Sequence, residues 1–161
     1  MPEQLAHSLQ QAVDREFLQL RSVSERDAGV KPGPTVWSKK EELGHLIDSA
    51  TNNHVRFVRA VLEPEFHGLG YEQEGWVRTH GYNEMPWTEI VDFWQRYNYF
   101  LAGVIRRIPA NNLPKRCVVG ESEPVTLQFL IEDYTLHMQH HLDHILKREK
   151  ITQYPGAALG V

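Results

Sequence analysis

Apolar residues recur at steps of three and four along most of the chain. Prolines and glycines interrupt that rhythm in only a few places. From about Glu3 to Arg21, Leu5, Leu9, Ala12, Val13, Phe17 and Leu20 fall on one stripe, which predicts an amphipathic helix. The segment Val30-Lys-Pro-Gly-Pro-Thr-Val-Trp37 ends it, because proline fixes φ and removes a backbone donor. A second helix starts at Ser38. Ser38-x-x-Glu41 ahead of an apolar run is a capping box, in which the hydroxyl and the glutamate each satisfy a free N–H. Leu43, Leu46, Ile47, Ala50, Phe57, Val58 and Val61 carry its stripe, and the helix closes near Glu63-Pro64.

Residues Glu65 to Met85 show no sustained period apart from an island at Tyr71–Arg78 that predicts a short helix. So long a connection commonly acts as a lid or binding loop. The third helix begins near Pro86 and stops before Pro109, with Ile90, Trp94, Tyr97, Leu101, Val104, Ile105 and Ile108 on one side. A connector through Pro114 and Gly120 leads to a fourth helix, capped at Thr126 and running to about Lys150, followed by an irregular tail. No segment reads as a strand with a partner, and Cys117-Val118-Val119 is too short to build a sheet alone. The expectation is all-α: one four-helix bundle domain over residues 1–161, with a long, partly irregular connection between helices two and three.

Composition narrows the function classes. Hydrophobic residues make up 41% and charged residues 24% of 161 residues, as in a globular chain. No apolar run approaches a membrane span, and the amphipathic start lacks the form of a signal peptide. A net charge of −4 argues against sequence-independent nucleic-acid binding. A single cysteine excludes a disulfide framework and a cysteine-based zinc site. These features point to the cytoplasm and to no nucleic-acid or membrane partner. Bundles often self-associate, so a homodimer is an expected arrangement.

Histidine is where chemistry enters. Of nine histidines, four lie between His137 and His144. His137/His141 and His140/His144 both have the i, i+4 spacing that places two imidazoles on one helix face, able to chelate one ion. The series Leu130, Tyr134, His137, His141, Ile145 follows the apolar stripe, so His137 and His141 face the interior. His140 and His144 fall to one side as flanking groups. The alternative is a pair of hydrogen-bonded core histidines. His54 lies on the second helix's apolar stripe and reads as packed core. His7 and His80 have no supporting context, and His67 lies beside Gly68 in a loop. His45 sits with Glu41, Asp48, Asn52 and Arg56 on a polar face, which helical phase alone does not select.

Several stretches resemble the DinB-like superfamily, most closely its YfiT-like branch. They are Trp37-Ser38-x-x-Glu41-x-x-x-His45-Leu46-x-Asp48, Arg56-Phe57, Tyr71-x-Gln73-x-x-Trp76, and Thr126-Leu127 through Tyr134-x-x-His137-x-x-His140-His141-x-x-His144-Ile145. The resemblance implies an up-down-down-up bundle. It also implies one divalent metal on His45, His137 and His141, with Tyr71, Gln73 and Trp76 near the pocket mouth. Zinc or nickel is the expected ion, with iron or manganese as further candidates. Three protein ligands leave a position open, as catalytic sites do. Such a site activates water for hydrolysis or a low-molecular-weight thiol for S-transfer, and YfiT-like relatives are similar to enzymes of both kinds.

Asp48, three residues after His45, is a candidate to orient an imidazole or water. Its bland alternative is a surface salt bridge with Arg56 or Lys40. Cys117 reads as a small hydrophobe. A bundle in which the ion is purely structural remains the alternative to an enzyme.

Overall fold

The computed structural model describes residues 1–149 together with Thr152 and Tyr154. Four long helices dominate: α1 (Pro2–Ser22), α3 (Lys39–Leu62), α5 (Trp87–Arg106) and α6 (Leu127–Ile145). Two short helices, α2 (Glu25–Gly29) and α4 (Gln73–His80), lie in the connections. The capping box forms at the head of α3: Ser38 Oγ accepts from the Glu41 amide at 3.2 Å, and Glu41 accepts from the Ser38 amide at 2.8 Å. At the head of α6, Thr126 Oγ1 accepts from the Phe129 amide at 3.1 Å.

Specific contacts fix the helix directions. Trp87, at the start of α5, donates its indole N–H to Leu20 O near the end of α1. Lys40, at the start of α3, donates to Met85 O just before α5. Thus α3 and α5 start where α1 ends. Glu3 of α1 pairs with Arg106 at the end of α5. Glu42 of α3 meets His144 near the end of α6, so α6 runs back alongside α1. The order is up-down-down-up. The helices form a ring in which α1 packs on α5, α5 on α3, α3 on α6 and α6 on α1. Its core includes Leu9, Leu46, Phe57, Trp87, Trp94, Leu130 and Tyr134, all nearly removed from water.

The structure adds a small sheet that the chain's periodicity does not show. β1 (Phe66–Gly68) pairs in parallel with β2 (Arg116–Val119), and β2 pairs antiparallel with β3 (Val125–Thr126). The α3–α4 and α5–α6 connections meet at the same end of the bundle, so each supplies the other's partner. Phe66, Cys117 and Val119 are buried beneath them. The fourth helix is also shorter than its pattern suggests. It ends at Ile145, and Lys147 takes a φ of 50° that no α-helix continues through. The expected helix end at Lys150 and most of the irregular tail lie outside the described residues. The island in the long connection is α4, closed by Gly81 at φ 64°.

Candidate metal centre

His45 sits in the second turn of α3, and His137 and His141 sit one turn apart in the second half of α6. Because α3 and α6 are adjacent and antiparallel, these turns face each other. His45 Nε2 lies 3.4 Å from His137 Nε2, and the candidate donor atoms of all three rings lie within 4.8 Å of one another. The rings meet edge to face, with centroids 5.3, 4.9 and 4.6 Å apart. His45 and His137 are buried, while His141 keeps partial access to solvent. The structure therefore brings together the three histidines singled out from the sequence. It also buries the polar face of α3 that was expected to lie away from the core.

Burial decides the protonation of two of these rings. It pushes His45 down to about 3 and His137 down to about 2, with the neighbouring histidines adding to the effect. At neutral pH both imidazoles are uncharged, the form that donates a lone pair to a metal. The third ring is held differently. Glu42, itself buried, lies 2.9 Å from His141 Nδ1 and 2.8 Å from His144 Nδ1. A carboxylate only accepts, so it keeps the proton on His141 Nδ1 and leaves Nε2 as the lone-pair atom facing the cluster. His45 Nδ1 and His137 Nδ1 have no partner among the described residues.

Aromatic rings wall the cluster. Trp37 packs on His45 at 5.0 Å and donates its indole N–H to Glu74 at 3.2 Å. Tyr154 packs on His137 at 5.8 Å and on His140 at 5.6 Å. Thus His140 flanks the cluster half-buried, while His144 is largely exposed and tied to it through Glu42.

Asp48 forms no surface salt bridge, contrary to the bland expectation: it is 1% exposed and pairs with neither Arg56 nor Lys40. Lys40 goes instead to Glu25 and Met85 O. Asp48 Oδ1 accepts from Tyr82 Oη at 2.6 Å and faces His80 Nδ1 at 2.8 Å. Burial raises its pKa, and these two partners oppose the rise. The imidazole it orients is that of His80, outside the three-histidine cluster. Trp76 carries the contact onward, 5.7 Å from His80 and 5.3 Å from Tyr71. Tyr71 and Trp76 line a cavity of about 430 Å³, whereas Gln73 begins α4 half-buried and is not among its walls.

Glu42, Tyr82 and the role of His80 escaped sequence reasoning. Glu42 had one available signal, an acid one helical turn before His45. His80 and Tyr82 flank Gly81, whose left-handed backbone turns them onto Asp48, and no spacing rule reports that. His54 is half-buried against Tyr97, with Nδ1 3.2 Å from the phenol, instead of fully packed. Cys117 is buried with its thiol pushed up to about 11, in keeping with a plain hydrophobe.

The chain is 23% identical over 109 residues to a protein of Oceanobacillus iheyensis provisionally named a metal-dependent hydrolase. That match covers 68% of this chain and 63% of the relative, short of two thirds of its length. The fold matches YfiT from Bacillus subtilis, described as a probable metal-dependent hydrolase with an unusual four-helix bundle topology. There the TM-score is 0.78 at 16% identity, covering 91% of this chain and 84% of the other. It also matches a mycothiol-dependent maleylpyruvate isomerase with TM-score 0.71 at 9% identity, covering 95% of this chain and 62% of that one. Residues 9–145, from the middle of α1 to the last residue of α6, match the family model of the DinB superfamily, and the chain belongs to that superfamily.

Proposed function

We propose that this chain is a metal-dependent enzyme. In this reading His45, His137 and His141 hold one divalent ion through their Nε2 atoms. The open position then serves a small-molecule substrate. The observation that carries the reading is the 3.4 Å between His45 Nε2 and His137 Nε2. With metal–nitrogen distances of roughly 2.0–2.1 Å, two ligands of a tetrahedral ion lie about 3.3–3.4 Å apart. Zinc and nickel suit three neutral imidazoles without a thiolate. Such an ion, when bound, lowers the pKa of a water or thiol at its open position.

The chain's own residues supply the remaining tasks. Glu42 fixes the tautomer of His141 and turns its Nε2 inward. Asp48 accepts the Nδ1 proton of His80 and leaves Nε2 as the basic atom of a half-exposed ring. Trp37 and Tyr154 narrow the approach and reduce access by bulk water.

Hydrolysis is the first reading, supported by the names carried by the Oceanobacillus and Bacillus relatives. Thiol transfer is the second, supported by the likeness to a mycothiol-dependent enzyme. Cys117 is buried with a raised pKa, so any reacting thiol belongs to the substrate.

Elemental analysis of the full-length protein and of His137→Ala, each after equilibration with zinc or nickel and desalting, tests the site. About one ion per chain in the wild type and a large loss in the variant are expected. Wild-type protein that retains no ion, or a variant that retains as much, overturns the reading. Turnover assays with an ester panel, and with a small thiol plus an electrophile, then separate the two chemistries. A large loss of thermal stability on chelation, without turnover in either assay, marks a structural ion instead.

A further inference from the structure

Arg56 is buried on α3 at 3% exposure and forms no ion pair among the described residues. Its two hydrogen bonds are long and go to neutral acceptors: Asn53 Oδ1 at 3.4 Å and Leu69 O at 3.3 Å. A guanidinium offers five donors, so most of its capacity is unspent. A buried cation without a counter-charge is costly, and proteins seldom keep one without a use.

The same wall holds a second unsatisfied group. The Tyr71 hydroxyl is buried and makes no hydrogen bond of ordinary geometry among the described residues, although Ser49 and Asp48 lie near enough to act on it. Arg56 and Tyr71 both line the cavity of about 430 Å³. Among the described residues, no acidic side chain is among its walls. Its other cation, Arg59, is already paired with Glu63 at 2.6 Å and lies over the Phe66 ring. Val55, Phe66, Leu69 and Trp76 supply apolar surface.

We propose that Arg56 and Tyr71 form a carboxylate-binding site in this cavity, which takes a small organic acid with an apolar or aromatic body. One free cation and one phenol match a planar monoanion, which accepts from a guanidinium fork. A phosphate dianion calls for more positive charge than this wall presents. The site lies on the face of α3 that carries the candidate metal ligand: His45, Asp48, Asn52 and Arg56 follow one another at steps of three and four. Tyr71, Trp76 and His80 form a ladder of rings from the cavity to Asp48. A substrate anchored by its carboxylate at Arg56 extends along that ladder toward the histidines. Its role as substrate rests on the enzymatic reading above; carboxylate binding itself does not need the ion.

The test is protein-observed NMR on the ¹⁵N-labelled full-length chain, with and without added zinc, at constant ionic strength. Benzoate is the probe, benzamide the neutral isostere, and inorganic phosphate the competing anion. Benzoate in the millimolar range is expected to shift the Gly68 and Gly70 amides and the Trp76 indole saturably, whether or not zinc is present. Benzamide and phosphate leave those signals in place. Arg56→Met weakens benzoate binding about ten- to a hundredfold, as expected for a lost charge-assisted hydrogen bond. Arg56→Lys, which keeps the charge and loses the fork, falls between. If Arg56→Met does not fold, Tyr71→Phe is the second variant, with a severalfold weakening. Equal binding of benzamide, equal or tighter binding of phosphate, unaltered affinity in the variants that fold, or no shift at those three signals overturns the proposal. Because every arm is run without zinc as well, failure of the metal site leaves the result readable.

Discussion

Replacing Gly44 with alanine offers a test in which two physical effects carry opposite signs. In an open helix interior, Gly→Ala stabilises by about 1 kcal/mol. At Gly44 an added Cβ would stand 2.1 Å from Tyr82 Cδ2 and 2.2 Å from its Cγ. Tyr82 is 5% exposed, so its ring has no free path outward. Its hydroxyl is also committed, donating to Asp48 at 2.6 Å. Displacing the ring costs about 1–3 kcal/mol as overpacking, and losing a hydrogen bond to a buried carboxylate costs about 1.5–3 kcal/mol more. After the helix-propensity gain, Gly44→Ala should destabilise by roughly 1.5–5 kcal/mol. Urea unfolding of the metal-free chain measures it. In a Tyr82→Ala background the clash is gone, and the same substitution should become neutral or stabilising by up to about 1 kcal/mol. A single Gly44→Ala variant about 1 kcal/mol more stable than wild type would refute the argument, because that is the value for an uncrowded position.

Three further outcomes follow from the same contacts. Glu42→Gln should weaken metal binding about ten- to a hundredfold in chelator competition, because Glu42 orients His141, whereas His144→Ala should change it little. Asp133 is buried, and desolvation pushes its carboxyl from 3.8 up to about 6. A raised carboxyl pKa means that the folded state binds the proton more tightly, so charging costs stability as pH rises from 3.8 through 6 and costs nothing below that window. Asp133→Asn should therefore gain little near pH 4 and up to about 3 kcal/mol at pH 8 in metal-free urea melts; a variant no more stable than wild type at pH 8 contradicts this. Glu16 is fully buried between Arg148 at 2.7 Å and Arg15 at 2.6 Å. Glu16→Gln should cost about 2–4 kcal/mol by the same assay, below the usual figure for a sealed pair because both arginines keep some exposure.

The long helices were legible because each carries an apolar stripe strong enough to fix its phase. That phase alone chose His137 and His141 over His140 and His144; in the structure His137 is buried, His140 and His141 are half-buried and His144 is exposed. The sheet was not legible, since β1 and β2 are a few residues each and meet only through tertiary folding. His45 was hidden for a more specific reason. A single apolar stripe marks a helix with one buried face, and α3 has two. Leu43, Leu46, Ile47, Ala50 and Phe57 face the core, while Glu42, His45, Asp48, Asn53 and Arg56 are buried as well. Periodicity assigned that second face to solvent; only the resemblance of His45-Leu46-x-Asp48 to a family motif pointed inward.

That second buried face also explains why the candidate chemistry gathers where it does. A folded chain pairs nearly all of its buried polar atoms. Here the side-chain atoms left without a protein partner, among the described residues, are His45 Nδ1, His137 Nδ1, Asp48 Oδ2, Tyr71 Oη, Asp133 Oδ2 and Trp94 Nε1. Trp94 apart, they belong to α3, to the segment entering α4 and to the α6 stretch that carries His137. The same helix face holds Arg56 without an acid. Unsatisfied atoms scattered through the core would signal poor packing. Unsatisfied atoms concentrated beside a converging histidine cluster, and beside a cavity with no acid among its described walls, are what the proposed metal and carboxylate sites call for. Apolar replacements along that face, such as Arg56→Met, should then cost little stability while removing ligand binding, whereas Phe57→Ala on the apolar face should cost about 3–5 kcal/mol in urea melts and leave binding by the folded fraction intact. If instead Arg56→Met destabilised as much as Phe57→Ala, the polar face would be part of the protein's framework and the functional reading of it would fail.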